Sequence, residues 1–194
     1  MKLINKVAFV TGAGQGMGRA IVRHFAEQGA QVVAADINLE AARQTIEGLG
    51  DNAMAVDCNV ADSDSVATAM AAVYARFGRF DVLVNNAGIG SIDAFADTPD
   101  EHWQRVIGVN LTGPFFCSRE AVKLMLKAAT PGVVINISST AAITGEGPSH
   151  YCAAKAGVMG LTRSMARELA GNGIRVNTIV PGPTNTPMMA DIPD

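Results

Sequence analysis

This sequence has little that could cross-link it, hold a metal or attach it to nucleic acid or lipid. Its cysteines, Cys58, Cys117 and Cys152, are odd in number and lack C-x-x-C or His-paired spacing. That excludes a disulfide framework and a zinc site and fits a reducing, cytoplasmic setting. With 15 Lys and Arg against 18 Asp and Glu, the net charge is −3 and the cations are scattered. No basic stripe for nucleic acid results. No apolar run reaches the ~18 residues of a membrane span, and glycine turn signals follow "MKLINKVAFVT" too early for a signal peptide. Repeats with a period of about 20 to 50 residues are absent, as are low-complexity linkers. The 194 residues, 48% hydrophobic and 17% charged with 20 Gly, suit one globular domain over 1–194.

What is present is an alternation. The apolar runs "KVAFVT", "QVVAAD", "NAMAVD", "FDVLVNN", "GVVINISS" and "IRVNTIVP" are separated by helical patterns near 16–28, 39–48, 63–76, 99–128 and 150–170. Six near-continuous apolar strands separated by helices predict an α/β protein with a doubly wound parallel sheet covered on both faces. Ligands of such sheets bind beyond the C-terminal strand ends. The unusual residues fall there: "TGAGQGMG" after the first strand, Asp36 ending the second, "NNAG" after the fourth, "SST" after the fifth and "PGPTNT" after the sixth.

In "TGAGQGMG", Gly12, Gly14, Gly16 and Gly18 lie between a strand and a helix, where backbone amides and the positive helix end can hold a pyrophosphate. The run is not a strict G-x-G-x-x-G, because Met17 takes the third glycine position. Asp36 stands where a carboxylate can accept bonds from an adenosine ribose. A 2′-phosphate would meet its charge, with Gln15 and Ile37 offering no compensating cation, so NAD is the expected cofactor.

Two further patterns bear on chemistry. Tyrosine is scarce, with two in the chain, yet Tyr151 stands four residues before Lys155. That step places both on one helix face, where a Lys charge favours phenolate and draws the Tyr pKa down from ~10. In "TPDEHWQRVIGVNLTGPFF", Thr98, Pro99 and Glu101 predict a capping-box helix start, with Trp103, Val106, Ile107 and Leu111 on one side. Pro114 interrupts that helix. It cannot bond the carbonyl of Asn110, which is left free to hold a water on a proton path.

Together "TGAGQGMG", "NNAG", the "VN" ending at Asn110, "NISS", "YCAAK" and "PGPTNT" resemble, in order and over essentially the whole chain, the short-chain dehydrogenase/reductase family. The resemblance implies a Rossmann fold in strand order 3-2-1-4-5-6, with a possible seventh strand and a substrate lid beyond Asp194. On that basis the chain is expected to be a truncated version of a longer polypeptide. The resemblance also implies an NAD-dependent oxidoreductase of secondary alcohols and ketones, with a 3-oxoacyl thioester reductase or a dinucleotide-binding protein without turnover as alternatives. Carried over, Tyr151 is the general acid/base, Lys155 lowers its pKa and binds the nicotinamide ribose, Ser139 steadies the substrate oxygen and Asn110 supports a water relay. Dinucleotide contacts fall to Gly12, Gly16, Met17, Gly18 and Asp36, to Asn59 and Val60, and to Asn86, Ala87 and Gly88. Tyr151 and Lys155 join them, with Pro181, Gly182, Thr184 and Thr186 on the carboxamide side. A homo-oligomer, tetramer or dimer, is expected, with contact faces near 115–128 and 152–170. No metal is implied.

The sequence departs from the family pattern in two places besides its end. The catalytic serine there usually lies thirteen residues before the tyrosine, whereas Ser139 lies twelve before Tyr151 and Ser138 has the other spacing. Ser139 is preferred, because the loop "TAAITGEGPSH" can absorb a deletion more easily than a strand end can. An amide, Asn59, replaces the acid often found near the adenine, and it can still donate and accept. His150 is expected in a loop that shapes the pocket, Cys152 as packing near a helix start, and Met188 and Met189 as an apolar entrance or core.

Overall fold

The computed structural model describes residues 1–187, so Met188 and Met189 lie outside the described residues. Six strands, β1 (Val7–Thr11), β2 (Gln31–Asp36), β3 (Ala53–Asp57), β4 (Val82–Asn85), β5 (Gly132–Ile137) and β6 (Ile174–Ile179), form one sheet in the order β3-β2-β1-β4-β5-β6. Every pairing is parallel. The expected α/β class and strand order are therefore found. β1 shows why these runs are almost continuously apolar: all five of its residues are buried. Val7 and Phe9 point into one core with Val66, Cys117 and Leu169. Ala8 and Val10 point into the other with Val22 and Ala42. Each face is covered by helices, as a parallel sheet requires.

Helices α1 (Gly16–Glu27) and α2 (Leu39–Ile46) cover the second of these cores. The first is covered by α3 (Ser63–Phe77), α5 (Gly113–Lys127) and α7 (Ser149–Leu169). Two short helices, α4 (Asp100–Ile107) and α6 (Ala141–Thr144), lie beyond the C-terminal strand ends. Chain order reverses between β3 and β4, so the crevice between β1 and β4 opens at that end.

Two local expectations change. The capping box does not form: Thr98 Oγ1 donates to Ala94 O at 2.9 Å, and Pro99 occupies the N-cap without a side-chain bond. With its hydroxyl turned back into the preceding turn, Thr98 cannot receive a helix amide. The 99–128 region is also two helices joined by a π turn over Gly108–Thr112, where the Gly113 N–H bonds Gly108 O. The break thus precedes Pro114 and encloses Asn110. On α7, Val158, Thr162 and Leu169 are buried within the chain itself, which shrinks the expected contact face, while Phe115 and Leu126 on α5 stay exposed. Among the described residues no helix is long and apolar enough to cross a membrane.

Candidate active site

The glycine turn is held from two sides. Asn86 Nδ2 donates to Thr11 O at 2.9 Å and Gly12 O at 3.1 Å. Thr11 Oγ1 accepts the N–H groups of Asn86 and Ala87, each at 3.0 Å. The "NNAG" loop is therefore a clamp on the turn, and Thr11, which the sequence reading missed, is its hinge pin. A Cβ on Gly18 would strike Gly12 O, so close packing of helix against turn demands glycine there. No side chain caps α1. The N–H groups of its first turn, at Gly16, Met17 and Gly18, thus remain available to an anion and meet the positive end of a twelve-residue helix. Thr186 reaches across this mouth, its Cβ 3.4 Å from where a Gly16 side chain would begin.

On the adenosine side, Asp36 Oδ2 accepts the Gly14 N–H at 2.8 Å and its Oδ1 accepts the Asn38 N–H at 2.9 Å. Gly14 O in turn receives Arg19, whose Nε donates to Thr45 Oγ1 at 3.1 Å. Arg19 is a cation near this end of the cleft that a reading confined to Gln15 and Ile37 overlooks. A guanidinium immediately after the last glycine, Gly18, was the available signal. Asn59 lies at the same crevice, but its Oδ1 already accepts the Ala61 N–H at 3.1 Å, leaving only its amide donors free of that bond. Val60 is buried against Gly113, with 2.9 Å from its Cγ2 to where a Gly113 side chain would begin.

The chemistry-bearing residues gather where β4, β5 and α7 meet. Lys155 is 4% exposed and its Nζ donates to Ile137 O at 2.9 Å. Burial lowers its pKa to about 8. The ammonium lies 5.7 Å from the centre of the Tyr151 ring. Tyr151 is half-buried, and burial raises its pKa above the ordinary tyrosine value, while the Ser139 hydroxyl opposes the rise. Loss of solvent around the phenol outweighs the Ser139 hydroxyl, and Lys155, expected to pull the value down, is not among the causes of the shift. The two serines are unequal. Ser138 is buried and donates to Lys155 O at 2.8 Å, which commits it to holding α7. Among the described residues Ser139 Oγ accepts only the local Ala141 N–H, at 3.2 Å, and its side chain faces Tyr151.

Asn110 is fully buried, and its side chain makes the contacts that matter locally. Its Nδ2 donates to Ile89 O at 2.8 Å and Val106 O at 3.0 Å, and its Oδ1 accepts the Ile89 N–H at 3.2 Å. A side chain on Gly88 would meet Asn110 Oδ1 at 2.7 Å and Lys155 Nζ at 3.4 Å, so this glycine lets the loop pass between them. Ala87, one residue earlier, presses against Gly12. Pro181 O accepts the Thr140 N–H at 2.9 Å, tying the segment after β6 to the serine loop. Gly182 and Thr184 are exposed, and Thr184 Oγ1 donates to Gly182 O at 3.1 Å.

A cleft of about 680 Å³ lies between the loop that follows Gly90 and the start of α7, where Ser149 and Cys152 line it. Ile92, Phe95 and Pro148 also line it, with the carboxylates of Asp93 and Glu146. His150, expected in a loop, is instead fully buried in the first turn of α7. Among the described residues no group of three or more His, Cys, Asp or Glu could hold a metal ion.

Comparison with known proteins agrees with this arrangement. Residues 6–194 match the family described as short chain dehydrogenase. A 3-oxoacyl-[acyl-carrier-protein] reductase of Thermotoga maritima is 41% identical, over 100% of this chain and 80% of its own. A meso-2,3-butanediol dehydrogenase of Serratia marcescens is 40% identical, over 97% of this chain and 75% of its own. In three dimensions, a 3-ketoacyl-(acyl-carrier-protein) reductase of Brucella melitensis, solved with NADH, superposes with a TM-score of 0.91 at 34% identity, covering 96% of this chain and 78% of that one. With the glycine turn, the buried lysine and the tyrosine beside it, these similarities make the chain a member of the short-chain dehydrogenase family of oxidoreductases.

Proposed function

We propose that this protein transfers hydride between NAD(H) and a small, uncharged secondary alcohol or its ketone, with Tyr151 as the general acid/base. The observation that carries the reading is the grouping of Tyr151, Ser139 and Lys155 beyond the C-terminal strand ends, together with a glycine turn whose first helical amides are uncapped. When bound, NAD⁺ supplies the hydride acceptor and a positive ring whose charge favours phenolate. The chain's residues do the rest. Tyr151 takes the proton of the alcohol and returns it in the reverse direction, from a phenol that burial otherwise keeps protonated. Ser139 orients the substrate oxygen, because its neighbour Ser138 is committed to α7. Lys155 presents its ammonium beside Gly88 and, below its pKa of about 8, adds positive charge where the phenolate forms. Asn110 keeps the Gly88–Ile89 loop from closing the gap.

Two features favour the finer assignments. The Asp36 carboxylate sits on the Gly14 amide and opposes a 2′-phosphate, while Arg19 is turned onto Gly14 O and Thr45. Among the described residues the cleft lining carries two carboxylates and no Lys or Arg, which suits an uncharged alcohol better than an anionic substrate. Incubation of the protein with NAD⁺ and a panel of secondary alcohols, and with NADH and ketones or 3-oxoacyl thioesters, followed at the absorbance of the reduced nicotinamide, tests both. Turnover is expected with uncharged alcohols and ketones, and NADH should bind roughly ten- to a hundredfold more tightly than NADPH. Turnover confined to thioesters would reject the substrate assignment, tighter NADPH binding would reject the cofactor assignment, and no turnover at all would reject the oxidoreductase mechanism.

A further inference from the structure

Beside Tyr151 lies a polar cluster that the mechanism above does not use. His150, fully buried, has its Nε2 2.7 Å from Ser91 Oγ. Ser91 Oγ in turn donates to Asp93 Oδ2. His102, on α4, approaches the same carboxylate with its Nδ1 at 3.0 Å. The proton directions follow from what each group can do. An ionised Asp93 only accepts, so the single Ser91 proton points to it, and Ser91 must accept from His150 Nε2–H. That places a proton on His150 Nε2, and its Nδ1 is buried without a partner. The Trp103 ring stacks on the imidazole, with centroids 6.5 Å apart and planes 13° from parallel. Although Ser, His and Asp are all present, this is no nucleophile: the His donates to the Ser, and Asp93 Oδ2 meets Ser91 Oγ and, at 3.5 Å, His150 Nε2, leaving His150 Nδ1 unpartnered.

The cluster matters at the first turn of α7, because Ser138 and Lys155 hold the helix only from its second turn. The helix has Pro148 at its N-cap and no side-chain cap bond. It is reached through Gly145 and Gly147, both at positive φ (76° and 136°), in an exposed stretch. Tyr151 is the third residue of the helix. From the opposite side of the cleft, Ser91 grips the residue immediately before it, and Asp93 passes that grip on to α4.

We propose that Ser91, Asp93, His102 and His150 form a latch that positions Tyr151, with His150 as the positioning residue. The latch holds the phenol in its water-poor setting at the angle from which it meets the substrate oxygen. Only the kinetic part of its test rests on the oxidoreductase reading, because the ionisation of Tyr151 can be followed without turnover. The chain's other tyrosine is Tyr74, so the phenolate absorbance of Tyr151 is isolated by subtracting the titration of a Tyr151→Phe protein.

The test compares Ser91→Ala and His150→Leu, which remove the bond, with Ser91→Thr and His150→Gln, which keep a hydroxyl and a donor at similar reach. In the first pair the Tyr151 titration should fall toward the ordinary tyrosine range as water enters, and kcat should drop about tenfold with KM for NAD⁺ unchanged, the scale of one lost hydrogen bond. The second pair should recover both readings. Should His150→Leu fail to fold, the half-buried Ser91 decides the matter alone. A wild-type titration in Ser91→Ala overturns the latch whether or not any alcohol is turned over. So does failure of Ser91→Thr to recover what Ser91→Ala loses. Absence of turnover in the unaltered protein counts against the oxidoreductase mechanism instead and leaves the phenolate titration to judge the latch.

Discussion

The two ends of the sheet each bury an ionisable side chain, and they treat it in opposite ways. At the N-terminal end Asp81 is 2% exposed and fully answered: Arg79 donates to both its oxygens at 2.6 and 2.7 Å, Lys6 lies at 3.3 Å and the Val7 N–H at 2.9 Å. Burial alone would raise the pKa of this carboxyl, but Arg79, Val7 and Lys6 together lower it. At the C-terminal end Lys155 is 4% exposed, has Ile137 O as its hydrogen-bond acceptor, and pairs with no carboxylate among the described residues. Its pKa falls to about 8 because nothing opposes burial. One end uses charge to fasten β1 to β4. The other holds a charge under strain beside the residue proposed to move a proton, and a group held this way responds to whatever charge arrives next.

The largest effect should come from the oxygen beside the strained charge. Tyr151→Phe removes the ionisable atom and keeps the ring, so turnover should fall on the order of a thousandfold while NADH binding stays close to that of the unaltered protein. Single-turnover kinetics and a fluorescence titration of NADH measure the two separately. Residual turnover within about tenfold of the unaltered protein would move the acid/base role to another residue.

At the satisfied end the expected loss is one of stability. Asp81→Ala leaves the Val7 N–H without its acceptor and releases Arg79, which is itself 35% exposed and regains water, so about 2 kcal/mol should be lost. The pH dependence has a definite sign. Because folding depresses this pKa, the stabilisation is complete above the unfolded carboxyl value of ~3.9 and disappears as pH falls through the lower folded value. Urea melts between neutral and acid pH should therefore converge for the two proteins at the acid end. Parallel curves would mean that the pairing of Asp81 contributes nothing to acid stability.

The same contrast explains what could be read from the sequence. Apolar runs flanked by glycine turns locate β1 to β6 because both sheet faces are buried, and burial is written directly in composition. Tyr151, Lys155 and the glycine turn were legible because helical spacing and strand-end position are local properties. Environment was not. Whether Tyr151 lies higher or lower than free tyrosine depends on how much solvent the surrounding loops exclude, and spacing to Lys155 cannot supply that. Thr98 looked like a cap until Ala94 O proved to be its acceptor. That the Asn86 donors tie the glycine turn to the loop after β4 could not be read from "NNAG". Ser91 and His150 are fifty-nine residues apart, and only the packing of that loop against α7 brings them together.

The smallest expected effect is also the one that most sharply separates the two ends: Lys155→Met should stabilise the protein while damaging its function. In the unfolded chain Lys155 ionises near ~10.4, and in the folded chain at about 8. Between those values the unfolded state binds more protons, so stability rises with pH across that window, and below about 8 the full penalty of the buried charge is present. A separation of this size corresponds to roughly 3 kcal/mol at neutral pH. Met fills much of the same volume without the charge, but it leaves Ile137 O without a donor, at a cost of about 1 to 2 kcal/mol. The net gain at pH 7 should therefore be about 1 to 2 kcal/mol, shrinking to nothing or reversing once the pH exceeds ~10. Denaturant melts of the cofactor-free protein at pH 7 and at pH 9.5 read this directly. A Met variant less stable than the unaltered protein at pH 7 would show that Lys155 is as well answered as Asp81, and the contrast between the two ends of the sheet would collapse.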